Sequence, residues 1–91
     1  MFTPARSRQL ADSHDVVVRV PVAEGSRAAG ATLGSLRLDI EPGFHLLAIR
    51  RGGRYLYRPT SDVELQPGDE LIASGPDEGH PMLAELCGWT L

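Results

Sequence analysis

Residue types able to do chemistry are few and scattered in this 91-residue chain. None of its three histidines, His14, His45 and His80, stands at metal-ligand spacing with another histidine or with the single cysteine, Cys87. The sequence sets no base beside Cys87, which falls late in a final apolar helix and reads as a small buried hydrophobe. Ser13, Ser26, Ser35, Ser61 and Ser74 lack the G-x-S-x-G setting of a nucleophile elbow. Most acids flank turns or begin helices, so no acid–base pair stands apart. Gly25-Ser26-Arg27-Ala28-Ala29-Gly30-Ala31-Thr32 has the spacing of a phosphate loop, but Ala31 occupies the place of the lysine that balances the β/γ-phosphates. All nine basic residues are arginines, which removes Schiff-base chemistry. The expectation is no enzyme, no catalytic residue and no metal site.

Recognition chemistry is better represented. His45 interrupts an otherwise apolar run, either as a hydrogen-bonded residue at a sheet surface or subunit contact, or as a ligand contact at an interface. Arg50, Arg51 and Arg54 cluster at a turn, with Arg58 beyond them. They form either a solvated rim or an anion-binding edge. Arg37 lies near the other end of the same run.

These residues need elements to hold them. In Asp15–Val22 the residues Val16, Val18, Val20 and Val22 alternate with a mixed face, which predicts a strand, and Pro21 places it at an edge or end. Thr32 is a natural N-cap for a helix of about two turns carrying Leu33 and Leu36 on one face. Asp39-Ile40-Glu41-Pro42-Gly43 reads as a type II turn leading into 44–51, a run apolar on both faces as a central strand requires. Gly52-Gly53 joins it to Arg54–Arg58 as a two-residue hairpin, because both positions of that turn need positive φ. Alternation in Asp62-Val63-Glu64-Leu65 predicts a brief strand, and Glu70–Gly75 the last one. Pro76-Asp77-Glu78 opens a final helix with a buried stripe of Met82, Leu83 and Leu86, stopped at Gly88. The expected order is β-α-β-β-β-β-α.

Composition bounds the rest. One cysteine cannot form an intrachain disulfide. The net charge of −3 supplies no drive towards DNA or RNA. No window approaches a spanning helix, and the start lacks a secretory leader's apolar core, so no direct membrane insertion and a cytoplasmic location are expected. Residues 1–14 read as a flexible tail or linker and 15–91 as one small domain. A chain this short buries only ~60–65% of its unfolded surface, and partners often complete such thin cores.

Three motifs, in this order, resemble the TrkA C-terminal domain family, also called RCK-C. They are Ala29-Gly30-Ala31-Thr32-Leu33-Gly34-Ser35-Leu36, then Leu46-Leu47-Ala48-Ile49-Arg50-Arg51-Gly52-Gly53, then Leu65-Gln66-Pro67-Gly68-Asp69-Glu70-Leu71-Ile72-Ala73-Ser74-Gly75, following the opening valine strand. The resemblance covers about residues 15–88. It implies an α+β fold with a mixed or antiparallel sheet, paired as a two-fold homodimer. It implies a non-enzymatic regulatory domain of potassium channels or transporters, attached to a membrane subunit or to an upstream domain of the same polypeptide. In some members the dimer cleft binds cyclic di-AMP, an effector and not a cofactor. The positions matching that pocket are Leu33, Arg37, Asp39, His45, Leu46 and Pro59. Where those binders tend to carry an acid then an arginine in the turn and an asparagine at the strand start, this chain has Arg37 before Asp39, and His45. The end, 88–91, resembles domains that follow a PhoU-like helical region, where the alternative role is pure dimerisation.

Overall fold

The computed structural model describes residues 15–89; the expected tail, 1–14 with His14, and the last two residues lie outside the described residues. Valine alternation sets the first strand, β1 (Asp15–Pro21), whose Val18 and Val20, with Val22 beyond its end, are buried while Val17 and Arg19 face outward. Two further strands form the antiparallel hairpin β2 (His45–Arg51) and β3 (Arg54–Tyr57), and β4 (Glu70–Pro76) completes the sheet. The order is β1-β4-β2-β3, every pairing antiparallel, so the doubly apolar β2 and β4 take the centre. Pro21, which has no N–H to give, ends an edge strand. Gly52 and Gly53 have φ of +57° and +83°, the left-handed pair that a tight hairpin needs.

Five expected strands become four. The segment 62–65 does not join the sheet; Thr32 and Glu64 form an isolated bridge. Its alternation is real but serves a local pairing. Leu65 accepts from the Gly30 amide at 2.8 Å and donates to the Ala31 carbonyl at 2.8 Å, while the Val63 carbonyl takes the Leu33 amide at 3.0 Å. The segment thus straps α1 (Leu33–Leu36) onto the core.

Thr32 caps α1 as expected, its hydroxyl accepting from the Ser35 amide at 3.3 Å. The helix is one turn and not two. Arg37 adopts the left-handed conformation (φ +51°) directly after it, and its carbonyl accepts the amides of Ile40 and Glu41, which turns the chain away. The loop that follows is not a simple type II turn, for both Gly43 and Phe44 donate back to the Leu38 carbonyl.

A 3-10 turn, Asp77–Gly79, precedes α2 (His80–Leu86), with Pro81 in its first turn. Leu83 and Ala84 are buried and Cys87 is fully buried, whereas Met82 is 44% exposed. The expected stripe is therefore corrected: the helix packs through Leu83 and Cys87, four apart, and this turns Met82 outward. Gly88 (φ +97°) ends the helix, its amide bonding Glu85 and the Trp89 amide bonding Ala84, each at 3.0 Å. Trp89 then donates its indole N–H to the Pro21 carbonyl at 2.6 Å, tying the C-terminal end to β1.

Arg51 and Asp69 form a largely buried ion pair within this frame. Asp69 is 1% exposed and receives Nε of Arg51 at 2.9 Å, Nη2 of Arg51 at 2.7 Å and the Gln66 amide at 2.9 Å. The forked geometry suits guanidinium and carboxylate planes. Arg51 also donates to the Glu64 carbonyl at 2.9 Å, so this one side chain joins the end of β2 to the strap and to the turn before β4.

Candidate ligand cleft

The six residues matched to a pocket by resemblance come from four separate places in the chain. Leu33 lies on α1, Arg37 caps it, Asp39 is in the loop, His45 and Leu46 begin β2, and Pro59 follows β3. The structure brings all six onto one surface cleft of about 290 Å³, which Gly34, Leu38, Phe44 and Ser61 complete.

Backbone hydrogen bonds explain the convergence. Leu33 and Gly34 donate to the carbonyls of Val63 and Ser61, fixing α1 beside the segment that continues from Pro59. The bonds from Gly43 and Phe44 to Leu38, at 2.9 and 2.6 Å, close the loop and bring Asp39 beside His45. A register shift between Leu46 and Ala48 makes Leu47 bulge, and the Arg58 amide reaches its carbonyl at 3.2 Å. This bond turns the end of β3 so that Pro59 stands near Leu46. Bulges commonly re-aim a strand in this way. Arg37, which lines the cleft, and Arg58, which precedes Pro59, both hold the rare left-handed conformation, with φ of +51° and +49°.

The walls are apolar and half-buried, from Leu33, Leu46 and Pro59, while Arg37, Asp39 and His45 are exposed around the mouth. Among the described residues, no side-chain hydrogen bond or ion pair engages those three polar groups. Apolar walls with a few convergent polar groups are the usual make-up of a small-molecule site. Such a lining can stack a flat apolar moiety and hold an anionic or hydrogen-bonding group with Arg37 and His45.

The other sequence candidates go elsewhere. Arg51 is committed to Asp69, and Arg50 and Arg19 both approach Glu70, at 3.9 and 3.2 Å. Two of the four clustered arginines, Arg50 and Arg51, thus face carboxylates of the domain itself. Burial pushes the Cys87 thiol up to about 11, which suits a packing residue. His80, half-buried, begins α2 away from the cleft. Among the described residues no group of three His, Cys, Asp or Glu side chains could hold a metal ion. No described helix is long and apolar enough to cross a membrane.

A second, larger groove of about 720 Å³ lies on the other side of Arg37, between α1, the loop and α2. Sequence reasoning passed over it. Its plainest signal is Ile40, an aliphatic residue inside the turn that is 66% exposed in the structure.

Comparison with known proteins places these features. The family model of the TrkA-C domain matches residues 17–88. The chain is 35% identical over 69 residues, 76% of its length, to the uncharacterized transporter sll0640 of Synechocystis, and spans about 11% of that protein's length. The RCK C domain of the potassium transport protein KtrA, solved in complex with cyclic di-AMP, superposes with a TM-score of 0.70 at 26% identity, covering 77% of this chain and 80% of that one. The RCK_C domain dimer of Streptococcus agalactiae BusR, also in complex with cyclic di-AMP, shares the fold with a TM-score of 0.71 at 19% identity, covering 81% of this chain and 91% of that one.

Proposed function

This chain belongs to the TrkA-C domain family, and from that premise we propose that it is a non-enzymatic regulatory domain of a cation transport system. In this reading two copies pair about a two-fold axis and sense a small effector, a cyclic dinucleotide such as cyclic di-AMP, at the cleft formed by Leu33, Arg37, Asp39, His45, Leu46 and Pro59. The domain would act on a membrane transporter, as a covalent part of it or as a subunit. The net charge of −3 gives no electrostatic reason for a nucleic-acid polymer to be the partner.

The observation that carries this reading is the cleft: six residues from four chain segments converge there, with polar groups unengaged among the described residues. At about 290 Å³ one cleft falls at the low end of the ~300–1,000 Å³ range of small-molecule sites. Two clefts facing each other would double it and present every contact twice, which suits a ligand that is itself two-fold symmetric. No bond need form or break. A ligand that binds one pose of the pair better than another shifts the pair to that pose, and the attached transporter feels the shift.

Calorimetric titration with cyclic di-AMP and related dinucleotides tests the proposal. Binding should be saturable, and Arg37→Ala should weaken it by about 1–3 kcal/mol through the lost charge-assisted hydrogen bond. Unchanged affinity removes Arg37 from the site. No heat with any nucleotide favours a plain dimerisation module.

A further inference from the structure

The β2–β3 hairpin carries a charge opposite to that of the chain as a whole. Residues 42–61 hold Arg50, Arg51, Arg54 and Arg58 and no acid, while the remainder holds five arginines and all twelve acids. Arg51 is taken by Asp69, and Arg50 shares Glu70 with Arg19. Arg54 and Arg58 are exposed and, among the described residues, stand in no ion pair. A domain of net charge −3 thus presents uncompensated guanidinium groups along one edge of its sheet.

The same edge is apolar. All four residues of β3, an edge strand, are exposed. Alternation sends Tyr55 and Tyr57 to one face, where their rings stack at 5.8 Å, and Leu56 to the other. Tyr57 is 73% exposed and Leu56 39%, and Leu47, at the bulge of β2, is exposed as well. A flat protein surface covers one face of such a strand and leaves the other wet. A lipid interface is fluid and takes in a protruding edge from every side. Tyrosine, apolar in its ring and polar at its tip, favours the boundary between headgroups and acyl chains. Guanidinium groups hold phosphate oxygens in pairs. An anionic leaflet repels the acidic remainder of the chain, so charge also sets the orientation, hairpin first.

We propose that the β2–β3 hairpin docks this domain on an anionic lipid surface, with Arg54 and Arg58 on headgroup phosphates and Tyr55, Leu56 and Tyr57 in the interfacial layer. The hairpin lies among the headgroups and spans nothing. This docking goes beyond effector sensing and does not depend on it.

Co-sedimentation of the full chain with vesicles tests it, one set of pure phosphatidylcholine and one of equal parts phosphatidylcholine and phosphatidylglycerol. The chain should bind the mixed vesicles at low salt, leave them at high salt and ignore the neutral ones. Arg54→Glu and Arg58→Glu should each weaken binding at least about fivefold, whereas Arg27→Glu, the same charge change in the groove beside α2, should alter it less than about twofold. Tyr57→Ser leaves every charge in place and should weaken binding at least about twofold. Circular dichroism of each variant separates lost docking from a lost fold. Equal binding to neutral vesicles, no binding to either kind, or hairpin variants that bind like the unmodified chain overturns the proposal. So does capture by immobilised polyglutamate without capture by vesicles, which marks an acidic protein as the partner. The effector reading is tested apart from this, by dinucleotide binding in free solution, so either can fail while the other stands.

Discussion

Arg51→Ala should be among the most damaging surface-accessible substitutions in the domain. It removes both guanidinium bonds to Asp69 and leaves a carboxylate that is 1% exposed with, among the described residues, only the Gln66 amide as partner. Stripping one partner from a buried pair costs ~3–5 kcal/mol. The Arg51 side chain is 34% exposed, so water screens part of the interaction, and about 2–3 kcal/mol is the expected loss. A domain of 91 residues is typically stable by ~5–10 kcal/mol, so the change is a large fraction of the total. With a urea dependence of ~1 kcal/mol per molar, the midpoint should fall by about 2–3 M. Asp69→Ala should cost somewhat less, because the freed guanidinium can turn to water. The double substitution should cost less than the sum of the singles by at least ~1 kcal/mol. Urea titrations followed by circular dichroism read all three. If Arg51→Ala costs under ~0.5 kcal/mol, or the two singles simply add, the clasp does not hold the strap and hairpin as described.

Arg37→Gly should stabilise the fold, by about 1 kcal/mol in thermal melts, since Arg37 holds a left-handed φ of +51° that glycine adopts without penalty. An unchanged or lower midpoint contradicts that. Gly88→Ala should destabilise by ~1–3 kcal/mol, because φ is +97° and a methyl group there would meet the Cβ atoms of Ala23 and Ser26 at 2.8 and 2.9 Å. Cys87 should make stability fall at alkaline pH. Burial raises its folded value to about 11, above the 9.0 of a free thiol, so the native state keeps the proton longer; the contribution is full below about 9 and is lost as pH rises towards 11. Cys87→Ala should flatten that slope, by about 1 kcal/mol per pH unit, in urea titrations across the range.

What could be read from the sequence was what local physics decides. Valine alternation fixes the inner face of β1, paired glycines fix the β2–β3 turn, Thr32 caps α1 and Gly88 stops α2, each through a requirement that one or two residues meet alone. Long-range consequences were hidden. Val63 and Leu65 alternate as a strand does, yet they bond the 30–33 backbone, a partner that period-2 spacing cannot name. Met82 belongs to the apolar spacing of α2, but which stripe turns inward depends on how Leu83 and Cys87 pack. Arg51 and Asp69 stand eighteen residues apart, and nothing local pairs them. The cleft residues came from family likeness, not from spacing, because their convergence depends on the closed loop at Leu38 and the bulge at Leu47. Ile40 was legible only as an aliphatic side chain that a turn does not need.

The stoichiometry of cyclic di-AMP binding, measured by calorimetry at a protein concentration where sedimentation shows pairing, bears most directly on the shared cleft. One ligand per two chains, with binding weakened by Arg37→Ala, is the predicted result. One ligand per single chain, or no heat at all, would contradict it.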